Sequence, residues 1–372
     1  MEIYIQISLF VIFLLCFIFQ LFYLFTKHKV LGAYQPEDAL PKVLIPISVI
    51  ISARNEYENL KQNLPIILDQ EYPDFEVVVV NDCSYDQSEL LLMEYAKQYP
   101  NLKIVTVNEH ERFKTAKKFA LTLGIKAAKN EHLLFTDADC HPASVHWISR
   151  MAAKFIGDNS IVLGYSPYIR KPGFLNHFIR FETIKTAVNY LSAALKGDAY
   201  MGIGRNLAYT KTLFFSNKGF ASHMHVLAGD DDLFVNQNAT ADNVAIEIHP
   251  EAHVWSDAKR GFGPYYRQKK RHMGVGKLYK TRHRQFLTLD ALTGFLFYAS
   301  LITCLFLQYE VLLILGFFVL RLLIQVLIYR KIFKNLRGAD LIWWLPFFDL
   351  IYYLYLIIFG LIGTFTKTTK WK

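Results

Sequence analysis

Hydrophobic and polar positions divide this chain into stretches of different character. From Ile3 to Thr26 the residues are uncharged and apolar over a length that spans a bilayer. Three further apolar stretches follow near the other end, Ala291 to Tyr309, Val311 to Tyr329 and Leu341 to Thr366. Between them the pattern alternates. Ile45 to Ser52 reads as a strand, Glu56 to Leu68 as a polar helix, and Val77 to Val80 as a β-branched strand buried on both faces. Gln87 to Lys97 reads as helix, Lys103 to Val107 as strand, Lys114 to Lys129 as helix and His132 to Phe135 as a fourth strand. Strands separated by helices predict a mainly parallel sheet with helices on both faces, an α/β fold.

Charge orients the apolar stretches. Glu2 precedes the first and Lys27, His28 and Lys29 follow it, which suits a retained anchor whose far end is cytoplasmic. Ala33 to Gln285 is then expected in the cytoplasm, and Arg330, Lys331, Lys334 and Arg337 return there after the third stretch. Lys367, Lys370 and Lys372 would lie outside if the fourth stretch crosses fully, and Pro346 offers a kink or re-entry instead. The expected organisation is an anchor over 1–29, a catalytic domain over 43–285 and membrane helices over 286–372.

The 372 residues are 53% hydrophobic and 15% aromatic, and their net charge is +9. Much of the positive charge lies between Lys269 and Arg284, a collar suited to anionic headgroups, so membrane lipids are expected partners and nucleic acid is not. Of the 4 cysteines, Cys16 and Cys304 fall in apolar stretches and Cys83 and Cys140 in the expected cytoplasmic part, which disfavours disulfides.

Polar clusters sit where ligands of parallel sheets bind, beyond the carboxyl ends of the strands: Ala53-Arg54-Asn55-Glu56, Asn81-Asp82-Cys83-Ser84 and Asp137-Ala138-Asp139. No G-x-G-x-x-G or P-loop follows a strand, which disfavours a dinucleotide enzyme or an NTPase. Asp137 and Asp139 are two residues apart, so extended backbone would aim both at one face. Such a pair suits a hard cation, Mg²⁺ or Mn²⁺, although an acidic turn would give the same string.

Five strings in order, ISVIISARNE (47–56), VVVVNDCSYDQS (77–88), KKFALTLG (117–124), FTDADC (135–140) and AGDDDLF (228–234), with RQKKRH (267–272) after them, resemble a family 2 glycosyltransferase of GT-A fold. The resemblance covers roughly Val43 to Lys277. It implies that Ala53, Glu56 and Asp82 contact the nucleotide and that Lys117 approaches the diphosphate, with Lys118 leaving that register open by one residue. Asp139 would be the main metal ligand, with Asp137 assisting and also facing the nucleotide-sugar. Asp231 would take a proton from the acceptor, with Asp230 next; a shifted register favours Asp230, and an acidic helix start would also account for the cluster. Gln268 and Arg271 match the first and fourth places of Q-x-x-R-W and would reach the diphosphate, while the basic collar offers Arg271 a different role. His272 stands where the family often has Trp, which counts against a polymerising role. MGIGRNLAY (201–209) falls where the family builds its acceptor side, so Gly204, Arg205 and Asn206 are candidates there, although a turn before a strand explains the same string.

The expected activity is inverting transfer from a nucleotide-diphosphate sugar, UDP- first, to a lipid-linked or glycan acceptor. A processive polysaccharide synthase, needing an oligomer or partner subunit to form a channel, is the alternative. A nucleotide-sugar-binding subunit without chemistry is a third reading. Two further expectations concern packing. Phe174 to Leu195 reads as an amphipathic helix against the sheet or the membrane. Arg321 and Asp349 lie about eight residues, roughly 12 Å, inside their apolar stretches and are expected to pair.

Overall fold

The computed structural model describes residues 2–39, 45–108, 117–226 and 228–365. The chain divides into two compact units, one gathering residues 35–171 and 193–260, the other residues 1–34, 172–192 and 261–367.

The first unit is built on a mixed sheet. Its strands are β1 (Ile47–Ala53), β2 (Phe75–Asp82), β3 (Leu102–Val107), β4 (His132–Asp137), β6 (Ile161–Gly164), β7 (Leu207–Thr210) and β8 (Val244–Glu247), in the order β3-β2-β1-β4-β7-β6-β8. A short pair of β5 (Cys140–Pro142) and β9 (Val254–Ser256) lies apart from it. β1, β2, β3 and β4 run parallel, whereas β7 runs antiparallel to β4 and to β6. The expected parallel core is present; β1, β2 and β4 end one or two residues beyond the apolar runs, whereas β3 ends where expected and β1 starts two residues later. Buried polar residues, Asp82 above all, extend the ladders beyond the hydrophobic signal.

Val77 to Val80 are fully buried because each face of the sheet is covered. On one face Val77, Val79, Val49 and Ile51 pack with Leu60, Leu64, Leu92 and Trp147. On the other, helix Lys117–Ala127 lies on β1 and β2. Gly124 makes that approach close: a Cβ there would meet Val80 Cγ2 at 2.8 Å and Ile50 Cγ2 at 2.9 Å. The depth of this helix fixes where Lys117, its first described residue, emerges. Residues 114–116 of the expected helix lie outside the described residues.

In the second unit the helix Glu2–Tyr23 continues through a π-turn at Leu24–His28 into Lys29–Ala33. With Thr281–Phe306, Val311–Asn335 and a segment over 339–363, it makes four helices long and apolar enough to cross a membrane, among the described residues. Helix Phe174–Leu195 packs with them through most of its length. Phe178 and Phe181 set their rings 5.8 and 5.4 Å from Phe348, and Arg180 grips Asp340 with two bonds of 2.8 and 2.7 Å.

Candidate active site

Register brings the candidate residues of the first unit together. Ala53 pairs with Asn81 and Ser52 with Asp137, so Ala53, Asp82 and Asp137 stand along one carboxyl edge of the parallel strands. Two left-handed residues turn the chain there, Asn55 at φ 54° and Cys83 at φ 52°. Asn accepts that conformation readily; Cys does so at a cost, beside Asp82. The two turns are laced together: the Asn55 and Glu56 amides donate to Ser84 and Ser88, the Tyr57 amide to Asp86, and the Tyr85 amide to Asn55 Oδ1 at 2.7 Å.

Asp82 is 1% exposed, and its Oδ1 has no hydrogen-bond partner among the described residues. Burial pushes its carboxyl above the usual range, and Arg54 partly opposes that shift. A buried carboxylate oxygen without a donor is costly unless a ligand supplies one. Glu56 precedes helix Tyr57–Leu68 but does not cap it through its side chain; its Oε2 accepts from Asn59 at 2.5 Å. Ala53 is fully buried, so only its backbone can face a ligand.

Asp137 ends β4, and Ala138-Asp139 form a turn rather than extended strand. The two-residue spacing therefore does not act through strand alternation. The turn itself brings the carboxylates together: ligand atoms of Asp137, Asp139 and Cys140 all lie within 4.8 Å of one another. Burial, then Asp139 and Asp137, hold the Cys140 thiol well above its ordinary range, and it donates to Asp139 Oδ1 at 3.4 Å. The donor set therefore fits a hard cation, with two carboxylates ready and the thiol kept protonated.

Lys117 joins this group to the second acidic cluster. Its Nζ lies 2.8 Å from Asp137 Oδ1 and 3.1 Å from Asp230 Oδ2. Burial works against its charge, but Asp137, Asp230 and Asp231 outweigh burial and hold the ammonium well above the usual lysine range. Asp231 precedes helix Asp232–Asn238, where its Oδ1 accepts from the Asp232 amide at 2.8 Å and its Oδ2 from the Gly204 amide at 2.7 Å. Burial first, then the neighbouring Asp230, raise the Asp231 carboxyl; Lys117 and the two amides restrain it. Lys117, Asp137, Asp230, Asp231 and Gly204 line one cavity with Thr136, Leu207 and Tyr209.

The acceptor-side candidates separate. Gly204 faces Asp231, and a Cβ there would approach Asp231 Oδ2 to 3.3 Å. Arg205 stacks on Tyr168 at 4.4 Å and leaves its buried Nη1 without a hydrogen-bond partner among the described residues. Asn206 corrects the expectation. It is fully buried, accepting from Trp147 Nε1 at 3.0 Å and donating to the carbonyls of Tyr165 and Ala252, so it fastens the core rather than facing an acceptor. Gln268, Arg271 and His272 lie on helix Phe262–Met273 in the other unit. Tyr209, whose phenol burial, Asp230 and Asp231 push well up, is not among the candidates although it ends the string MGIGRNLAY: its strand joins the sheet antiparallel, so its nearness to the acidic clusters is not visible in the sequence.

The described fold has a solved counterpart. The mannosyltransferase PcManGT from Pyrobaculum calidifontis, solved with GDP-Man and Mn²⁺, superposes at a TM-score of 0.58 and 17% identity, covering 95% of this chain and 98% of that one. Among curated proteins, the glycosyltransferase AglE of Haloferax volcanii is 30% identical over 120 residues, 32% of this chain and 38% of AglE. The poly-β-1,6-N-acetyl-D-glucosamine synthase of Staphylococcus epidermidis is 29% identical over 119 residues, 32% of this chain and 28% of the synthase. The matched segments thus span well under half the length of these relatives. The model of glycosyl transferase family 2 matches residues 48–218, which carry β1, β2, β4, Asp82, Lys117, Asp137 and Asp139. Residues 48–218, a little under half of the chain, thus carry a match to glycosyl transferase family 2.

Proposed function

We propose that this protein is an inverting glycosyltransferase that moves a sugar from a nucleoside-diphosphate sugar to a lipid-linked or glycan acceptor at the cytoplasmic face of the cell's inner membrane. The observation that carries the reading is the shared Lys117, which bonds Asp137 of the first acidic group and Asp230 of the second. Transfer with inversion needs these two functions side by side: neutralisation of a departing diphosphate, and a base for the incoming hydroxyl.

In this reading Asp82, Glu56 and the backbone at Ala53 hold the nucleoside, and the lone oxygen of Asp82 receives a ribose or base donor. Asp137 and Asp139 hold Mg²⁺ or Mn²⁺, which would supply positive charge to the diphosphate. Lys117 turns its ammonium from the carboxylates to the phosphate oxygens. Asp231 removes the acceptor proton; its raised affinity for protons suits a base. Arg271 and Gln268 act on the diphosphate and His272 on the acceptor side, as the family motif suggests. A UDP-sugar is the first expectation, and the GDP-mannose and Mn²⁺ of the structural neighbour make GDP-sugars the next donors to try.

The test is nucleoside-diphosphate release by the protein in lipid nanodiscs with Mg²⁺ or Mn²⁺, native lipid extract and a panel of UDP- and GDP-sugars. Wild type, Asp139→Asn and Asp231→Asn are run together. Release from one donor, lost in both variants, supports transfer. Donor binding without turnover in the wild type points to a binding subunit, and absence of binding overturns the reading. Product length separates single addition from a processive synthase.

A further inference from the structure

Two adjacent lysines begin helix Lys117–Ala127, and only the first has been given a task. Lys118 is 1% exposed, yet no carboxylate pairs with it by a salt bridge among the described residues. Its Nζ donates instead to two main-chain carbonyls, His223 at 2.7 Å and Val226 at 3.0 Å. These close one turn, because the Val226 amide also donates to the His223 carbonyl at 3.1 Å. Four residues beyond Val226 stands Asp230, held by Lys117 at 3.1 Å. Gly229, at φ 90°, lies just before it, a conformation that L side chains rarely adopt.

Consecutive side chains of one helix thus grip one short stretch at three points, His223, Val226 and Asp230. A lysine is an expensive way to fill a buried site. Burial lowers its ammonium to about 8, whereas a methionine would occupy similar volume without that cost. The energy is accounted for if the two carbonyl bonds set the path of the chain into Asp230–Asp232.

We propose that Lys118 is a positioning residue for the proposed transfer reaction: by holding the His223–Val226 turn against the helix that carries Lys117, it fixes the acidic segment Asp230–Asp232 relative to Asp137. The inference rests on the transferase reading for its kinetic consequence but not for its structural one. A displacement near 1 Å of a reacting group costs about 10²-fold in rate, whereas donor affinity, set by other residues, stays close to its original value.

The experiment compares wild type and Lys118→Met in nanodiscs by three readouts: amide hydrogen exchange over 221–229, nucleotide-sugar binding with Mn²⁺, and single-turnover transfer. The expected result is faster exchange confined to 221–229, donor affinity within about twofold of wild type, and transfer about 10²-fold slower. Unchanged exchange in that segment overturns the proposal. So does loss of donor binding and of protection throughout the domain, which would make Lys118 merely structural. If Lys118→Met does not fold, Lys118→Gln, which keeps a neutral donor nitrogen on a shorter arm, is read by the same criteria, and failure of both to fold also overturns the proposal. If wild type itself transfers nothing, the transferase reading fails, and the exchange comparison still decides whether Lys118 holds the turn.

Discussion

Arg321 Nη2 and Asp349 Oδ2 meet at 2.9 Å in the interior of the apolar helices, each side chain 1% exposed. The sequence places the two charges at similar depth, and the structure adds what it could not show. Lys185 reaches Asp349 Oδ1 at 2.9 Å, Tyr298 donates to Asp349 Oδ2 at 2.9 Å, and Arg321 also donates to Gln20 Oε1 at 3.0 Å. One carboxylate therefore serves two cations. Asp349→Asn should be the most damaging single change, because it strands both; breaking a buried pair costs about 3–5 kcal/mol. Exchanging Arg321 and Asp349 should restore only part of the loss, since an arginine at position 349 would face Lys185. Adding Lys185→Met to the exchange should recover more. Thermal unfolding in nanodiscs checks this order, and full recovery by the exchange alone would show that Lys185 is not coupled to the pair.

The acid limb of the rate profile should respond in opposite directions to two substitutions. In the proposed mechanism Asp231 works as a carboxylate, so activity should rise with pH through its proton-binding range in the folded protein. Asp230 raises that range and Lys117 lowers it. Asp230→Asn should move the acid limb to lower pH, and Lys117→Met should move it to higher pH while cutting the plateau by roughly 10²-fold through loss of charge at the diphosphate. The limb position, measured as kcat against pH at saturating donor, is the readout. Movement of both variants in one direction would mean that Asp231 is not the titrating base.

Gly204→Ala tests how tightly the proposed base is held. The added methyl would stand 3.3 Å from Asp231 Oδ2 and 3.4 Å from its Cβ, so the carboxylate must shift by a few tenths of an ångström. Its bond from the Gly204 amide, now 2.7 Å, should lengthen. We expect kcat to fall about tenfold, with donor KM and melting temperature nearly unchanged, because the site is partly open and little core packing is disturbed. A lowered melting temperature with unaltered kcat would place Gly204 in the fold rather than in the chemistry.

Much of this was legible in the chain, for physical reasons that also mark where reading stops. Val77 to Val80 announce a doubly covered strand because a continuous apolar, β-branched run suits burial on both faces, and from that run the acidic strand ends can be placed. The expected pairing of Asp139 with Asp137 rests on a different geometry from the one the spacing implies: a turn, not an extended strand, brings the two together. Lys117 and Lys118 look alike in sequence. Helix rotation sends one to carboxylates and the other to carbonyls, and the burial of Ala120, Leu121, Gly124 and Ile125 sets that rotation. Asn206 is polar and sits in a glycine-rich string, which suggests a ligand, but the carbonyls of Tyr165 and Ala252, 41 and 46 residues away in sequence, use its amide. Such long-range polar bonds leave no periodic trace.

Gly124 itself gives the last prediction, one that links packing to the site. Its missing side chain lets helix Lys117–Ala127 settle onto β1 and β2, with a would-be Cβ under 3 Å from two buried methyls, Val80 Cγ2 and Ile50 Cγ2. Neither side chain can swing away, because both residues are fully buried in central strands. Gly124→Ala gains helix propensity, about 1 kcal/mol, but the overpacking should cost about 1–3 kcal/mol and lift the helix from the sheet. Lys117 begins that helix and spans Asp137 and Asp230, so the displacement should also reach the active site. We therefore expect a lower melting temperature together with weaker donor binding, and partial recovery of both when Val80→Ala is added to make room. Recovery of stability without recovery of donor binding would show that the helix position and the Lys117 contacts are set independently.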